Sequence, residues 1–166
     1  MSSADETKRL IYCVDVEGEK HPCTVDKLER RPAAYALVFR GDEMLIIKTK
    51  YGLTFPGGAI EIDESHETAL AREVFEETGI HIRVGNVSSV GTSYWYNRGK
   101  YHQSLSIFCI CEYISGEPVN THLSEDERLH WECEPGWISI ETAYKQGFAF
   151  TGDWRAALKA ARHIPY

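Results

Sequence analysis

The five cysteines of this 166-residue chain include no CxxC pair. Their number is odd and their spacing fits neither a zinc site nor a disulfide framework, which argues against both. The residues are Cys13, Cys23, Cys109, Cys111 and Cys133. We therefore expect reduced thiols, as in a cytoplasmic protein.

Long hydrophobic segments are also absent. The longest apolar run, residues 33–39, is far too short to span a bilayer. The first ten residues, MSSADETKRL, lack the apolar stretch of a secretory signal. The sequence therefore predicts a soluble, unexported protein without a membrane partner.

Basic residues form no stripe or cluster, and the formal net charge is −7. A nucleic acid polymer is therefore not an expected partner. Residues 61–77 contain seven carboxylates and one arginine, so this segment alone carries six of the seven net negative charges. The acidity marks one local site, and the rest of the chain is nearly neutral.

No repeat, low-complexity stretch or linker divides the sequence, and its length suits one domain. Residues 1–31 are more polar and contain one strand-like run, Leu10 to Val16. We expect this N-terminal extension either to pair with the edge of a sheet in the domain of residues 32–166 or to form the contact of a homodimer.

Strand and helix signals alternate along residues 32–166. The β-rich runs RPAAYALVF and EMLIIKTK flank the turn signal Gly41-Asp42, which predicts a hairpin. A helix is predicted from His66 to Thr78, and a last one from about Asp153 to Arg162. Mixed strands with a central and a terminal helix predict an α/β fold in which a mixed sheet lies between helices.

The central helix has clear boundaries, because Ser65 is a good N-cap and Gly79 suits the left-handed residue that ends a helix. At about 100° per residue, its glutamates cover an arc of about 100° that is separate from the apolar arc. The acidic arc holds Glu73, Glu76 and Glu77, and the apolar arc holds Leu70, Ala71, Val74, Phe75 and Thr78.

The three glutamates repel one another at spacings of three and four residues, and two of them lie in the last turn, where the helix dipole favours cations. A bound divalent cation removes both penalties. Oxygen ligands without Cys or His suit Mg²⁺ or Mn²⁺. The alternative interpretation is a solvated acidic face of the helix.

The segment from Gly58 to Ile80, within PGGAIEIDESHETALAREVFEETGI, resembles the Nudix box. Glu64 follows Gly58 after five residues, and the string Arg72-Glu73-Val74-Phe75-Glu76-Glu77-Thr78-Gly79-Ile80 follows after seven more. Every fixed position of the signature is present. The resemblance implies the Nudix fold, an α/β/α sandwich, and hydrolysis of a nucleoside diphosphate linked to another group.

The resemblance also assigns roles within the box. It implies that Glu73, Glu76, Glu77 and the carbonyl of Gly58 bind the metal ion. Arg72 lies four residues before Glu76 and can reach back to Glu64, so we expect it to orient the carboxylates. The general base stays open between a glutamate of the box and a downstream carboxylate, for which the sequence offers Glu125, Asp126, Glu127, Glu132 and Glu134.

Residues outside the box are candidates for substrate binding. Lys48 and Lys50 can reach phosphate, or they are exposed lysines of an edge strand. Tyr94, Trp95 and Tyr96 with Trp137 offer aromatic surface to a base, or belong to the core.

By resemblance, the lack of proline between Ile80 and Glu117 argues against ADP-ribose as substrate, and Tyr96 is a weak marker of dinucleoside polyphosphate hydrolases. We expect a MutT-like (deoxy)nucleoside triphosphate pyrophosphohydrolase. The alternatives are a dinucleoside polyphosphate hydrolase and a non-catalytic Nudix module that senses a nucleotide.

Overall fold

The computed structural model describes residues 9–119, 132–149 and 152–162. The described residues form nine strands and three α-helices in the following order: β1 Leu10–Val14, β2 Lys20–Thr24, β3 Leu28–Arg40, β4 Glu43–Thr49, β5 Gly52–Thr54, β6 Gly57–Ala59, α1 His66–Thr78, β7 His81–Asn97, β8 Lys100–Ser115, β9 Glu134–Ser139, α2 Ile140–Gln146 and α3 Trp154–Arg162. A single 3₁₀ turn, Val25–Lys27, joins β2 to β3.

The strands form one mixed sheet in the order β2-β1-β7-β8-β3-β4-β5. The pairs β1–β7 and β3–β8 are parallel, and the others are antiparallel. The predicted hairpin around Gly41-Asp42 is present, with Phe39 opposite Met44. Beyond the hairpin, β3 and β4 separate, because β6 pairs with β3 and β9 pairs with β4. The sheet therefore curls at its centre.

Helices cover both faces of the sheet. On one face, α1 contributes Leu70 and Val74 to a core cluster with alternate residues of β3 such as Ala36. On the other face, α3 contributes Leu158 to a second cluster that includes Leu37 of β3. Successive residues of one strand enter opposite clusters because strand side chains alternate between the faces. The predicted sandwich of a mixed sheet between helices is present.

Helix α1 has the predicted boundaries. The Ser65 hydroxyl accepts from the Thr68 N–H at 3.2 Å, and Gly79 is left-handed with φ 70°. The predicted apolar arc is partly wrong, because Ala71 is exposed and Ala69 is buried in its place. The buried side is therefore rotated toward the glutamates, and Glu73 and Glu77 contact β6.

The segment from His81 to Asn97 forms one long strand. Irregular pairing near Val84 and Val87 does not interrupt it. A β-bulge of this kind absorbs extra residues without ending the strand.

The predicted strand in the N-terminal segment is present as β1, which pairs with β2 and, at Val14, with Trp95 of β7. The Asp15 carboxylate fixes the turn between β1 and β2 by accepting from the N–H groups of Glu17 and Glu19, both at 2.9 Å. Strand β3 continues through residue 31, so the division of the chain after this residue stays a prediction, as does the homodimer. None of the helices in the described ranges is long and apolar enough to cross a membrane.

Candidate active site

The glycine pair after Pro56 brings the backbone of β6 against β3. Gly58 lies opposite Ala34, and the Ala36 N–H donates to the Pro56 carbonyl at 2.8 Å. Gly57 has φ 137°, and a Cβ atom there would lie 2.2 Å from the Ala34 carbonyl oxygen. Only glycine fits this position, since both the backbone conformation and the space exclude a side chain.

The carboxylates of α1 reach the two glycines from the other side. A Cβ atom at Gly58 would lie 2.7 Å from Cδ of Glu73 and 2.8 Å from both of its oxygens. Glu77 Oε2 accepts from the Gly57 N–H at 2.7 Å. Two of the three predicted metal ligands of the helix therefore lie against the strand that carries the fourth, the backbone carbonyl of Gly58.

Arg72 links the carboxylates of the loop and the helix. Its Nε and Nη2 atoms donate to the two oxygens of Glu64 at 2.8 and 2.9 Å. Its Nη1 donates to Glu73 at 3.0 Å and to Glu76 at 3.1 Å. A guanidinium presents its donors in a planar fork, which suits this division between one bidentate and two single contacts.

The pKa values of the Glu73 and Glu64 carboxyls are shifted in opposite directions. Burial raises the pKa of the Glu73 carboxyl, and the charge and hydrogen bond of Arg72 oppose that shift. The hydrogen bonds from Arg72 lower the pKa of the Glu64 carboxyl, and the same contact raises the pKa of the Arg72 guanidinium further above neutrality. Arg72 therefore stays charged and compensates a cluster that would otherwise repel itself.

A family model described as the NUDIX domain matches residues 29–158. The chain belongs to the NUDIX domain family. The prediction from the box between Gly58 and Ile80 is thereby confirmed at the level of the family. The match begins inside β3, so the β1–β2 hairpin of this Nudix protein lies outside it.

The chain is similar to the NAD-capped RNA hydrolase NudC of Pseudomonas aeruginosa (strain LESB58), with 30% identity over 134 residues that cover 77% of this chain and 43% of that protein. It therefore spans less than half the length of this relative. A MutT-like protein of Streptomyces ambofaciens is 54% identical over 35 residues, which cover 21% of this chain and 23% of that protein.

Among solved structures, the MutT protein from Methanosarcina mazei Go1 has a TM-score of 0.61 and 21% sequence identity. The superposition covers 82% of this chain and 96% of that one. At this identity the likeness concerns the fold, and the predicted Nudix fold is confirmed.

The Nudix cluster has the donor chemistry of a site for Mg²⁺ or Mn²⁺, since Glu73, Glu76 and Glu77 supply carboxylate oxygens beside the backbone of Gly58. In the described part of the chain, however, no three carboxylate, His or Cys side chains converge tightly enough to hold an ion. Arg72 holds Glu73 and Glu76 in its own contacts, and Glu77 accepts from the Gly57 N–H.

The lysines and aromatic residues predicted for the substrate are dispersed. Lys48 is exposed and lies 3.8 Å from the Glu134 carboxylate. Lys50 follows β4 in a turn, with Nζ 5.2 Å from the Tyr51 ring centroid. Both lysines stay predictions for phosphate binding.

The predicted aromatic pocket is not formed as one unit. Trp137 contacts Tyr113 edge to face within the α1 side of the core. Tyr96 stacks on His21 at 4.1 Å, whereas Tyr94 Oη accepts from Gln103 Nε2 at 3.3 Å. The expectation that Trp137 joins residues 94–96 is wrong, because β9 pairs with β4, and β8, β3 and β4 lie between β9 and β7 in the sheet.

Two residues near the cluster escaped the sequence analysis. Tyr35 of β3 lies within electrostatic reach of Arg31, Glu73 and Glu77. Burial raises the pKa of the Tyr35 hydroxyl, and Arg31 opposes that shift. Arg31 and Tyr35 are four residues apart on one strand, so alternation alone places them on one face, and this signal was available.

Two of the five downstream carboxylates offered as general base fall in the described ranges. Glu134 pairs with Lys48, and Glu132 is exposed with φ 55°. Glu125, Asp126 and Glu127 lie outside the described residues.

Proposed function

We propose that this Nudix protein hydrolyses a nucleoside diphosphate linked to another group, in a reaction that depends on Mg²⁺ or Mn²⁺. The observation that carries the proposal is that Glu73 and Glu77 contact the Gly57-Gly58 backbone, while Arg72 donates a hydrogen bond to Glu73. The NUDIX match and the likeness to hydrolases of this family support it.

The residues of the site have different roles. Glu73, Glu76, Glu77 and the Gly58 carbonyl would hold the cation, and Glu64 would keep Arg72 in place. When bound, the cation supplies charge neutralisation at the phosphate oxygens and lowers the pKa of the attacking water. A polyanionic substrate and the carboxylates repel each other without it, so substrate and cation are expected to bind interdependently.

For the substrate we propose a (deoxy)nucleoside triphosphate, cleaved to the monophosphate and pyrophosphate as in MutT-like proteins. Two sequence features support a small nucleotide over a polymer: the net charge of −7 and the lack of a basic stripe. The absence of proline between Ile80 and Glu117 argues against ADP-ribose. A cytoplasmic location fits this substrate and belongs to the same proposal.

The second candidate is a dinucleotide joined through a diphosphate, including the NAD end of capped RNA. The 30% identity to NudC over 77% of this chain favours it. The acidic charge of the chain counts against the RNA part of such a substrate, because a polymer adds phosphates that acidic surfaces repel.

The test is a panel at equal concentration with Mg²⁺, in which chromatography measures release of nucleoside monophosphate. The panel contains the four dNTPs, oxidised dGTP, diadenosine tetraphosphate, ADP-ribose, NAD and an NAD-capped RNA oligonucleotide. A Glu76→Gln preparation controls for contaminating hydrolases. The highest kcat/KM is expected for a triphosphate.

Each other outcome selects a different function. A tenfold preference for NAD or capped RNA would replace the triphosphate by the dinucleotide. A tenfold preference for diadenosine tetraphosphate or ADP-ribose would also overturn the triphosphate. Nucleotide binding in calorimetry without any turnover would identify a sensing module.

A further inference from the structure

A cavity of about 420 Å³ lies between the N-terminal hairpin and α3. The hairpin turn forms one wall with Val14 and Asp15, and Phe148 and Trp154 form the opposite wall. Ser93 and Trp95 of β7 also line it. The cavity lies on the sheet face that α3 covers, because Phe148 and Trp154 belong to the core cluster of that face.

Residues on both walls of the cavity have hydrogen bonds or ring contacts within the protein. Asp15 Oδ2 lies 2.6 Å from His21 Nε2, in addition to the two N–H groups that bind Oδ1. Phe148 stacks on Phe55 with ring centroids 3.9 Å apart and planes at 7°. A preformed wall lowers the entropic cost of binding, since few side chains must be ordered by the ligand.

Trp95 is one of the aromatic residues that line this cavity, with Tyr94, Phe148 and Trp154. Its ring stacks on His102 at 4.6 Å, and Arg31 Cζ lies 5.3 Å from its centroid. In the described part of the chain no carboxylate forms an ion pair with Arg31, and the buried Nδ1 of His102 has no hydrogen-bond partner. A guanidinium stacked on an aromatic ring keeps its in-plane N–H groups available for phosphate.

Arg31 connects the cavity to the carboxylate cluster. Along the parallel register of β3 and β8, Glu29 pairs with His102 and Tyr35 pairs with Phe108. Trp95 of β7 also pairs with His102, so Trp95 lies beside Glu29 in the strand direction. Trp95 and Tyr35 are therefore separated by six residues along the strands, about 20 Å at about 3.3 Å per residue. Arg31 lies between them, with Cζ over the Trp95 ring and with its charge within electrostatic reach of Tyr35 and Glu73.

We propose that the cavity at Trp95 binds the base of the nucleotide and that Arg31 binds a phosphate between the base and the carboxylate cluster. This inference rests on the proposed function for the identity of the ligand. It assigns a binding role to Val14 and Asp15, which lie outside the NUDIX match at residues 29–158. The hairpin would thus determine which base is preferred among nucleotides that have the same phosphate chain.

The test is calorimetric binding of two probes in the presence of Mg²⁺: a non-hydrolysable dGTP analogue, and inorganic tripolyphosphate, which has no base. Trp95→Leu should raise the Kd of the analogue about tenfold or more and leave that of tripolyphosphate unchanged. Arg31→Met should raise both Kd values about tenfold. Val14→Phe, which narrows the cavity from the hairpin, should act on the analogue alone.

Matched controls come from β7 and β8. Arg83→Met removes an exposed arginine of β7 that pairs with Glu112, and Tyr101→Leu removes an aromatic ring of β8 that packs on Tyr96. Both should bind the analogue within twofold of the wild type. Ser93→Leu fills part of the cavity while keeping the Trp95 side chain, and it decides the question if Trp95→Leu does not fold.

The binding readout separates this inference from the proposed function. If the wild type hydrolyses nucleotides while Trp95→Leu, or in its place Ser93→Leu, binds the analogue within twofold of the wild type, only the inference is overturned. If the wild type turns over no nucleotide while these variants lose affinity as stated, the inference stands and the hydrolase assignment fails. A wild type that binds neither probe, or tripolyphosphate alone, would overturn the inference.

Discussion

The Glu73 carboxylate occupies the space that a side chain at Gly58 would fill, with its oxygens 2.8 Å from the ideal Cβ position. The loop that carries Gly58 and the helix that carries Glu73 are therefore complementary in shape. Any group larger than hydrogen at position 58 must displace either the carboxylate or the strand.

Gly58→Ala should lower kcat and weaken the binding of Mg²⁺ by moving Glu73, while the backbone conformation itself accepts alanine, since φ at Gly58 is not in the left-handed region. Kinetics over a range of Mg²⁺ concentrations measure both effects. Gly136→Ala in β9 is the control, because nothing lies within 4 Å of its Cβ position. Equal activity in the two variants would show that Glu73 has room to adjust.

Glu76→Gln and Glu77→Gln should each lower turnover by at least about 10²-fold, because charge stabilisation by a bound cation is worth several kcal/mol. The free energy of unfolding should stay the same or rise slightly, as one like charge leaves a cluster at a helix C-terminus. Glu141→Gln, at an exposed site on α2, controls for the substitution itself. Activity within threefold of the wild type in both box variants would refute the site.

Arg72→Lys should reduce both kcat and the melting temperature. Lysine keeps the charge but cannot hold both oxygens of Glu64 while it contacts Glu73 and Glu76. Arg83→Lys on β7 is the matched change at an exposed ion pair, where the expected effect on stability is within about 1 kcal/mol. Thermal unfolding and steady-state kinetics of both variants check this, and indistinguishable variants would remove the bracing role of Arg72.

Addition of Mg²⁺ or Mn²⁺ should raise the melting temperature of the protein by mass action, and EDTA should reverse the rise. The shift should be smaller in Glu73→Gln, which loses one carboxylate of the cluster beside Gly58. Differential scanning fluorimetry at several cation concentrations measures it. No shift up to millimolar concentration, with a non-hydrolysable nucleotide present, would mean that the carboxylates bind no metal.

Asp15 should make stability depend on pH in the acid range. Its hydrogen bond with His21, supported by the two N–H groups of the turn, lowers the pKa of the Asp15 carboxyl from 3.8. A depressed pKa adds stability that is present above pH 3.8 and is lost as the pH falls through the lower folded value. Asp15→Asn should therefore lose less stability than the wild type over that range.

Thermal unfolding of the wild type and Asp15→Asn between pH 2 and 6, roughly spanning the titration, tests this. Glu17→Gln removes the same charge from an exposed neighbour in the turn and serves as the control. Parallel curves for all three proteins would show that the contact with His21 does not contribute.

The sequence predicted the parts of this protein that local chemistry determines. The boundaries of α1 follow from Ser65 and Gly79. The Ser65 side chain caps the first turn of the helix, and the left-handed backbone of Gly79 ends it, wherever the helix packs. The family follows from fixed spacings between Gly58 and Ile80, and the hairpin follows from Gly41-Asp42. The link from Arg72 to Glu64 also followed from the sequence, because both lie within the same loop and helix.

The tertiary structure decided what depends on the pairing of distant strands. It separated Trp137 from Trp95, since β9 joined β4 while β7 joined β8. It turned the acidic arc of α1 toward β6, because the missing side chain of Gly58 leaves room for Glu73. It brought Arg31 over Trp95, 64 positions later in the chain. Local propensity carries no information about such contacts, because they are selected by the packing of the whole sheet.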